Sequence, residues 1–332
     1  MITVLTGGTG GAKFVDGLRQ IMPAEELTIV VNTGDDLRWW GLHVSPDVDS
    51  ITYVLAGMLS RERGWGVERD TFFCTKAMGQ MGEPAWFQIG DRDLATHIFR
   101  SKLHAEGKTL SEATAEIAAR LGIKGRILPM TNARVETRVL TAAGDLSFEE
   151  YFVQRRYQDP VVSVRFEGAS DAEPAPGVLD AIQSSEFVLL APSNPVTSIG
   201  PILAVPGVRE TLRDHHGCVA AVSPIVGGSA VTGPAGALLA SQGFAVSIAG
   251  VADYYRDFLD VLVVDSQDAA AAEELRRSEA RKTGLQVHCA PTVMRKNNNE
   301  DRVALARSVI DACVKCQSGH AVRETSAISE NA

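Results

Sequence analysis

The chain opens with Ile2-Thr3-Val4-Leu5-Thr6-Gly7-Gly8-Thr9-Gly10-Gly11-Ala12-Lys13-Phe14, and this stretch decides the fold class. Five β-prone residues run straight into a cluster of glycines, and an amphipathic segment follows from Lys13 to Ile21. Leu27-Thr28-Ile29-Val30-Val31-Asn32 then reads as a second strand, which completes a βαβ unit. In an open parallel sheet, ligands bind beyond the carboxyl ends of the strands. The glycine loop and Thr33-Gly34-Asp35-Asp36 are therefore expected on that one edge.

Working outward, residues 50–64 and 92–122 read as helices. The second is long, with Leu94, Ile98, Leu103, Leu110, Ala113, Ile117 and Leu121 spaced mostly three or four apart. Between them lies an irregular segment rich in Gly, Trp and Phe, so a mainly helical lobe is predicted over 51–129. Residues 135–142, 149–154 and 161–166 read as strands. Phe187–Ala191 and Val219–Val222 are continuous apolar runs bounded by turn residues, as expected of buried parallel strands. Residues 244–249 and 259–264 complete the strand predictions, and the polar segment 317–332 is expected to be a disordered tail. The fold class is α/β: a mostly parallel sheet formed by 1–50 and 130–316, carrying an inserted helical lobe.

Apolar residues make up 45% of the 332 and charged residues 22%, ample for a large core. The net charge of −9 argues against nucleic acid or an anionic membrane as partner. A small phosphorylated ligand needs only local cations and amides, and clustered acids suit a divalent cation. Neither a signal-peptide pattern nor an apolar run of about 18 residues appears. Five scattered cysteines fit reduced thiols in a cytoplasm. Cys313 and Cys316 form a CxxC pair with no second pair, read as neighbours on one helix.

The loop Gly7–Lys13 lets backbone N–H groups approach phosphate oxygens at a helix N-terminus. It is not a Walker A motif, because Ala12 precedes Lys13 and Phe14 follows it. Nor is it GxGxxG, because Lys13 stands at the third glycine. Four carboxylates follow within fifteen residues (Asp35, Asp36, Asp47 and Asp49), more than helix capping requires. In Gly90-Asp91-Arg92-Asp93, Arg92 reads either as a surface ion pair or as a phosphate clamp. His97 reads as structural. Ala191-Pro192-Ser193-Asn194-Pro195-Val196-Thr197-Ser198 and Ser223-Pro224-Ile225-Val226-Gly227-Gly228 each follow a strand. Four polar loops thus converge on one sheet edge. With no GxSxG, HExxH or paired CxxC, the chemistry is read as positional and electrostatic, as in phosphoryl transfer.

With these loops in place the chain resembles the CofD family, the 2-phospho-L-lactate transferases of coenzyme F-420 biosynthesis. The resemblance is carried by GGTGGAKF at 7–14, VNTGDD at 31–36, SPDVDS at 45–50, RGWGVERDTF at 63–72 and IGDRDLATHIFRS at 89–101. It continues through FEEYFVQRR at 148–156, LLAPSNPVTSIGPILAVPGVRE at 189–210 and SPIVGG at 223–228. It implies a Rossmann-like sheet with a helical second lobe, a requirement for Mg²⁺ and a homodimer. The implied reaction moves the phospho-acid of a guanylyl diphosphate donor (phospholactyl, enolpyruvyl or phosphoglyceryl) to the ribityl hydroxyl of the deazaflavin Fo, releasing GMP.

By position, the resemblance implies that Gly8, Thr9, Gly10 and Lys13 meet the donor phosphates. Ser193, Asn194 and Ser198, with Ser223, Gly227 and Gly228, would hold the rest of the nucleotide. Asp49 and Gln88 match deazaflavin contacts, Asp49 being the first choice to order or deprotonate the hydroxyl. Asp35, Asp36 and Asp47 are the metal candidates, and Arg92 would meet the donor's charge. The chain departs from the family at Met130-Thr131-Asn132 and at Met294-Arg295-Lys296. Two rival readings are a CofD-like nucleotide-binding regulator, against which SPDVDS and GDRDLATH speak, and an NAD(P) oxidoreductase, against which the broken glycine pattern speaks.

Overall fold

The computed structural model describes residues 1–279 and 284–329. From the start, β1 (Ile2–Thr6) leads into α1 (Gly8–Leu18) and β2 (Leu27–Val31). The hairpin β3 (Leu37–Trp39) and β4 (Leu42–Val44) follows, then α2 (Pro46–Leu55), α3 (Phe73–Gln80), α4 (Asp91–Ala105) and α5 (Leu110–Arg120). Next come β5 (Arg126–Pro129), β6 (Glu136–Thr141), β7 (Gly144–Ser147), β8 (Val161–Glu167), α6 (Val178–Ser184) and β9 (Phe187–Leu190). After α7 (Gly200–Ala204) and α8 (Val208–Arg213) stand β10 (Cys218–Val222), β11 (Ile225–Val226) and β12 (Ser229–Ala230). The chain continues through α9 (Ala235–Ser241), α10 (Ile248–Tyr254), β13 (Val261–Asp265), α11 (Ala269–Glu279), β14 (Gln286–Ala290) and α12 (Asn299–Ser329).

Seven strands form one all-parallel sheet in the order β14-β13-β10-β9-β1-β2-β5. This is the α/β fold class expected from the first βαβ unit. Successive side chains leave opposite faces of a strand, so each strand feeds two cores. Val4, Ile29, Leu189, Ala220 and Val263 pack under α1, α2 and α12. Leu5, Val30, Leu190, Ala221 and Leu262 pack on the other side, against α6 to α11. Strand order reverses between β1 and β9, which places the switch-point crevice where the glycine loop meets the loop after β9.

Two segments interrupt this frame. Between β2 and β5 lie the β3–β4 hairpin and helices α2 to α5; between β5 and β9, strands β7-β6-β8 form an antiparallel sheet. A lobe boundary at 50/51 divides α2, whose Val48, Ile51 and Val54 belong to the core under the main sheet. A boundary at 129/130 leaves the sheet strand β5 inside the lobe.

Several expected elements differ. The helix expected over 50–64 starts earlier and stops before Gly57, whose φ of +68° favours glycine. The helix expected over 92–122 is two helices. Gly107, at φ +86°, ends the first, and a capping box between Thr109 and Glu112 starts the second. Residues 149–154 are not a strand. Ser147 and Glu150 exchange hydrogen bonds, with Ser147 N donating to Glu150 Oε2 at 2.8 Å, and begin a π-helical turn over Glu150–Gln154. Residues 244–249 hold no strand, and α10 starts at Ile248 with Ser247 as its cap. The tail expected from 317 begins within α12; residues 330–332 lie outside the described residues.

Candidate active site

Helix α1 begins inside the glycine run, with Gly7 as an N-cap that offers no side chain to the free amides. Gly8 N is taken by Asp47 Oδ1 at 2.6 Å, which leaves the other first-turn amides open to an anion. A methyl group on Gly10 would strike the carbonyl oxygen of Pro192, and one on Gly11 would strike Thr6 Oγ1. These glycines therefore let α1 approach the loop after β9 closely. Thr9 is exposed there, and Lys13 is half-buried, reaching Met294 O at 3.4 Å. Burial, then the charges of Arg302 and Lys296, lower the Lys13 pKa.

The loop after β9 closes the crevice. Ser193 Oγ donates to Gly7 O at 2.7 Å, stitching the two loops together. Asn194 Oδ1 accepts from Val196 N at 3.0 Å, so its side chain caps the next turn. Ser198 lies buried beside Gly8. Ser223 Oγ is held by the backbone of Ile225 at 3.1 Å. Gly227, φ +58°, gives its N–H to Asp268 at 3.0 Å, and Gly228 follows at φ +78°.

Asn32 is the hub of the acidic group and is absent from the expected site residues. Its amide donates to Asp35 Oδ2 at 2.9 Å and Asp47 Oδ2 at 3.0 Å, while its carbonyl oxygen accepts from Gly34 N at 2.8 Å. Asp36 accepts from Ser45 Oγ at 2.6 Å and lies 2.8 Å from His43 Nε2. Burial, then the neighbouring Asp47 and Glu149, push Asp35 well above the usual carboxylate range. Burial also raises Asp47, to about 6, against the opposing bonds from Gly8 N and Asn32. Glu149 is pushed up to about 8 by burial, then by Asp47 and Asp36.

Asp35 and Asp36 open on a cavity of about 760 Å³ between the helical lobe and the antiparallel sheet. Trp39, His43, Trp86 and His104 line it, together with Phe148 and Glu149. Trp39 and Trp86 meet edge to face at 4.8 Å, and His43 stacks on His104 at 4.9 Å. Asn132, one of the departures from the family pattern, lines the cavity and accepts from Ser111 N at 2.8 Å.

Asp49, Arg92 and Gln88, expected at the acceptor or at the donor's charge, do not line this cavity. Asp49 is 3% exposed, its carboxylate held by Arg100 and 3.4 Å from His97 Nδ1. A carboxylate so enclosed offers no free lone pair at the cavity wall. His97 Nε2 continues the chain to Asp93 at 3.3 Å, and Tyr53 donates to Asp93 at 2.6 Å. Arg92 points the other way, giving Nη1 to Glu68 O at 2.8 Å at an exposed position. Arg100, two turns further along α4, is the arginine that faces the acids. Gln88 is exposed, and its neighbour Trp86 lines the cavity.

Among the described residues no three Asp, Glu, His or Cys side chains converge into a ready-made metal cage. Mg²⁺ does not require one, since it is commonly bound by one or two carboxylates plus substrate phosphates. Asp35 and Asp47, bracketed by one amide, are such a pair. Asp35 Oδ1 is buried without a hydrogen-bond partner, a polar orphan that a cation would satisfy. The donor set fits Mg²⁺.

By fold and by site, the molecule falls among the α/β enzymes that work at the switch point of a parallel sheet. The family described as 2-phospho-L-lactate transferase CofD matches residues 2–306. A 2-phospho-L-lactate transferase of Methanosarcina mazei is 42% identical over 309 residues, 93% of this chain and 99% of that protein. One of Methanocaldococcus jannaschii is 38% identical over 317 residues, covering 94% and 98%. A crystal structure of a UPF0052-family protein from Bacillus halodurans shares the fold, with a TM-score of 0.63 at 16% identity over 93% of this chain and 98% of that one. The chain thus belongs to the 2-phospho-L-lactate transferase CofD family, and it is a transferase. None of its helices is long and apolar enough to cross a membrane, among the described residues.

Proposed function

We propose that the protein transfers the phospho-acid part of a guanylyl diphosphate donor to the ribityl hydroxyl of the deazaflavin Fo and releases GMP. The observation that carries this reading is the adjacency of two half-sites. The open N-terminus of α1 lies on one side of the Asp35–Asp47 pair, and the aromatic-walled cavity on the other. The donor's diphosphate suits the α1 amides and Lys13, with the guanosine end toward Ser198 and the Ser223–Gly228 loop. A flat tricyclic acceptor suits Trp39 and Trp86.

The acceptor oxygen attacks the phosphorus that carries the phospho-acid, the bond to the bridging oxygen breaks, and charge develops on the leaving GMP. Lys13 and the loop amides are placed to stabilise that charge. Asp35 and Asp47 would hold Mg²⁺, which supplies Lewis-acid polarisation of the phosphoryl oxygens. Asn32 orients both carboxylates. Arg100 fixes Asp49 and thereby the start of α2, next to Asp47. Asp49 reaches the acceptor only if the pair with Arg100 opens.

The test uses purified protein with Mg²⁺, Fo and each of the phospholactyl, enolpyruvyl and phosphoglyceryl donors. GMP release with a phosphodiester of matching mass supports the reading. No GMP with any donor refutes it. Size-exclusion chromatography in the same buffer checks the homodimer that we propose for a cytoplasmic enzyme of this family.

A further inference from the structure

We propose that Glu149 is the residue that receives the proton of the attacking hydroxyl, an assignment that rests on the transferase function proposed above. Glu149 lines the same cavity as Trp39 and Trp86, and its residue surface is only 8% exposed. A group there meets whatever the cavity holds.

The other carboxylates of the cluster are committed. Asp36 is engaged by His43 and Ser45, and Asp47 by Gly8 N and Asn32. Asp49 is enclosed by Arg100 and His97, and one oxygen of Asp35 accepts from Asn32 while the pair with Asp47 suits a cation. The next residue along, Glu150, spends its carboxylate on Ser147 N and Oγ, at 2.8 and 2.9 Å. Among the described residues no hydrogen bond or ion pair reaches the Glu149 carboxylate. The turn that Ser147 and Glu150 begin presents that carboxylate to the cavity and leaves it free.

Its place in the reaction balances simply. The acceptor's O–H bond breaks as its oxygen bonds to phosphorus, and the proton goes to Glu149. The electron pair of the broken phosphorus–oxygen bond leaves with GMP, and Glu149 later returns the proton to water. A positioned carboxylate in this role contributes roughly 10²- to 10⁴-fold.

The experiment compares wild type with Glu149→Gln, Glu149→Asp and Glu149→Ala, measuring turnover, GDP affinity and melting temperature. Glutamine has the shape of the neutral acid, so Glu149→Gln is expected to melt no lower than wild type and to bind GDP within about twofold. Its kcat is expected to fall at least about 100-fold with little change in acceptor KM. Formate is expected to restore at least tenfold of the turnover lost in Glu149→Ala, an effect that a merely structural side chain would not show. A Glu149→Gln enzyme within about threefold of an active wild type overturns the assignment alone. Loss of GDP affinity and melting temperature together in both Glu149→Gln and Glu149→Asp also overturns it. A wild type that transfers nothing overturns the function and the assignment together.

Discussion

Replacing Arg100 by methionine is the sharpest test of how the acidic site is held. Methionine fills much of the same space, so the change removes a charge more than it opens a cavity. Asp49 then remains buried, 3% exposed, with His97 Nδ1 at 3.4 Å as its nearest remaining partner. Removing one member of a buried pair typically costs about 3–5 kcal/mol, because the other charge is stranded. The pair here is two-pronged, and Arg100 also reaches His43 O at 3.4 Å, so we expect about 4 kcal/mol. At roughly 2 °C per kcal/mol for a large chain, that lowers the melting temperature by about 8 °C. Urea and thermal melts of Arg100→Met, Asp49→Asn and the double variant measure it. The double variant should be less destabilised than the sum of the singles by at least about 1.5 kcal/mol. Additive effects, or a single-variant loss below about 1 kcal/mol, would refute the buried pair. The same proteins decide the part of Asp49. If Asp49→Asn keeps its stability and GDP affinity but loses turnover, Asp49 reaches substrate; if Arg100→Met loses turnover to the same degree, the pair acts by holding the fold.

Two further outcomes follow from the same geometry. Glu149 has a folded pKa of about 8 against an ordinary 4.5, so the folded state holds its extra proton between those values. Stability without metal or ligand should therefore be greatest near pH 4.5 as far as this group is concerned, falling as pH rises toward 8 and levelling above it, by a few kcal/mol at most. Asp47, raised to about 6, acts in the same direction. Glu149→Gln should flatten the slope in melts across pH 5 to 9; an unchanged slope would show that Glu149 is not the group titrating. For Gly10→Ala, the added methyl meets the Pro192 carbonyl oxygen, part of the backbone and unable to swing away. We expect about 1–3 kcal/mol of destabilisation and at least tenfold weaker GDP binding by calorimetry; unaltered GDP affinity would remove the α1 N-terminus from the binding site.

The sheet was legible because parallel strands buried on both faces are continuous apolar runs, as in Phe187–Leu190 and residues 261–264. From that came the common edge, and with it the glycine loop, the Asp35–Asp36 loop and the loop after β9. Two element errors had signals in plain view. Gly107 with Thr109-x-x-Glu112, and Ser147-x-x-Glu150, are capping patterns that apolar spacing and β-propensity outweighed. The contacts of Asn32, Arg100 and Glu149 were not legible, because they depend on which side chains meet across distant segments. His97 and Arg100 share one face of α4, which periodicity predicts; that this face meets Asp49, some 51 residues earlier, is a fact of tertiary packing. Arg92 beside two acids was the more conspicuous arginine in sequence, yet the helix turns it outward.

The strand that carries the glycine loop, β1, lies between β2 and β9, and α1 above it is clamped by α12 through Arg302 and Asp16, 2.5 Å apart and both buried. β1, made before its neighbours in the sheet, is therefore paired on both edges only once β9 is made, and its helix α1 is clamped only once α12 is made. At bacterial-to-eukaryotic synthesis rates, roughly 5–20 residues per second, β1 waits on the order of ten seconds or more for β9, and longer for α12. Until then it has one sheet neighbour, and its other edge can pair with any extended chain. Nascent chains released before Arg302 should accordingly aggregate or be held by chaperones, and the glycine loop should become a functional pocket only when the C-terminal helix docks.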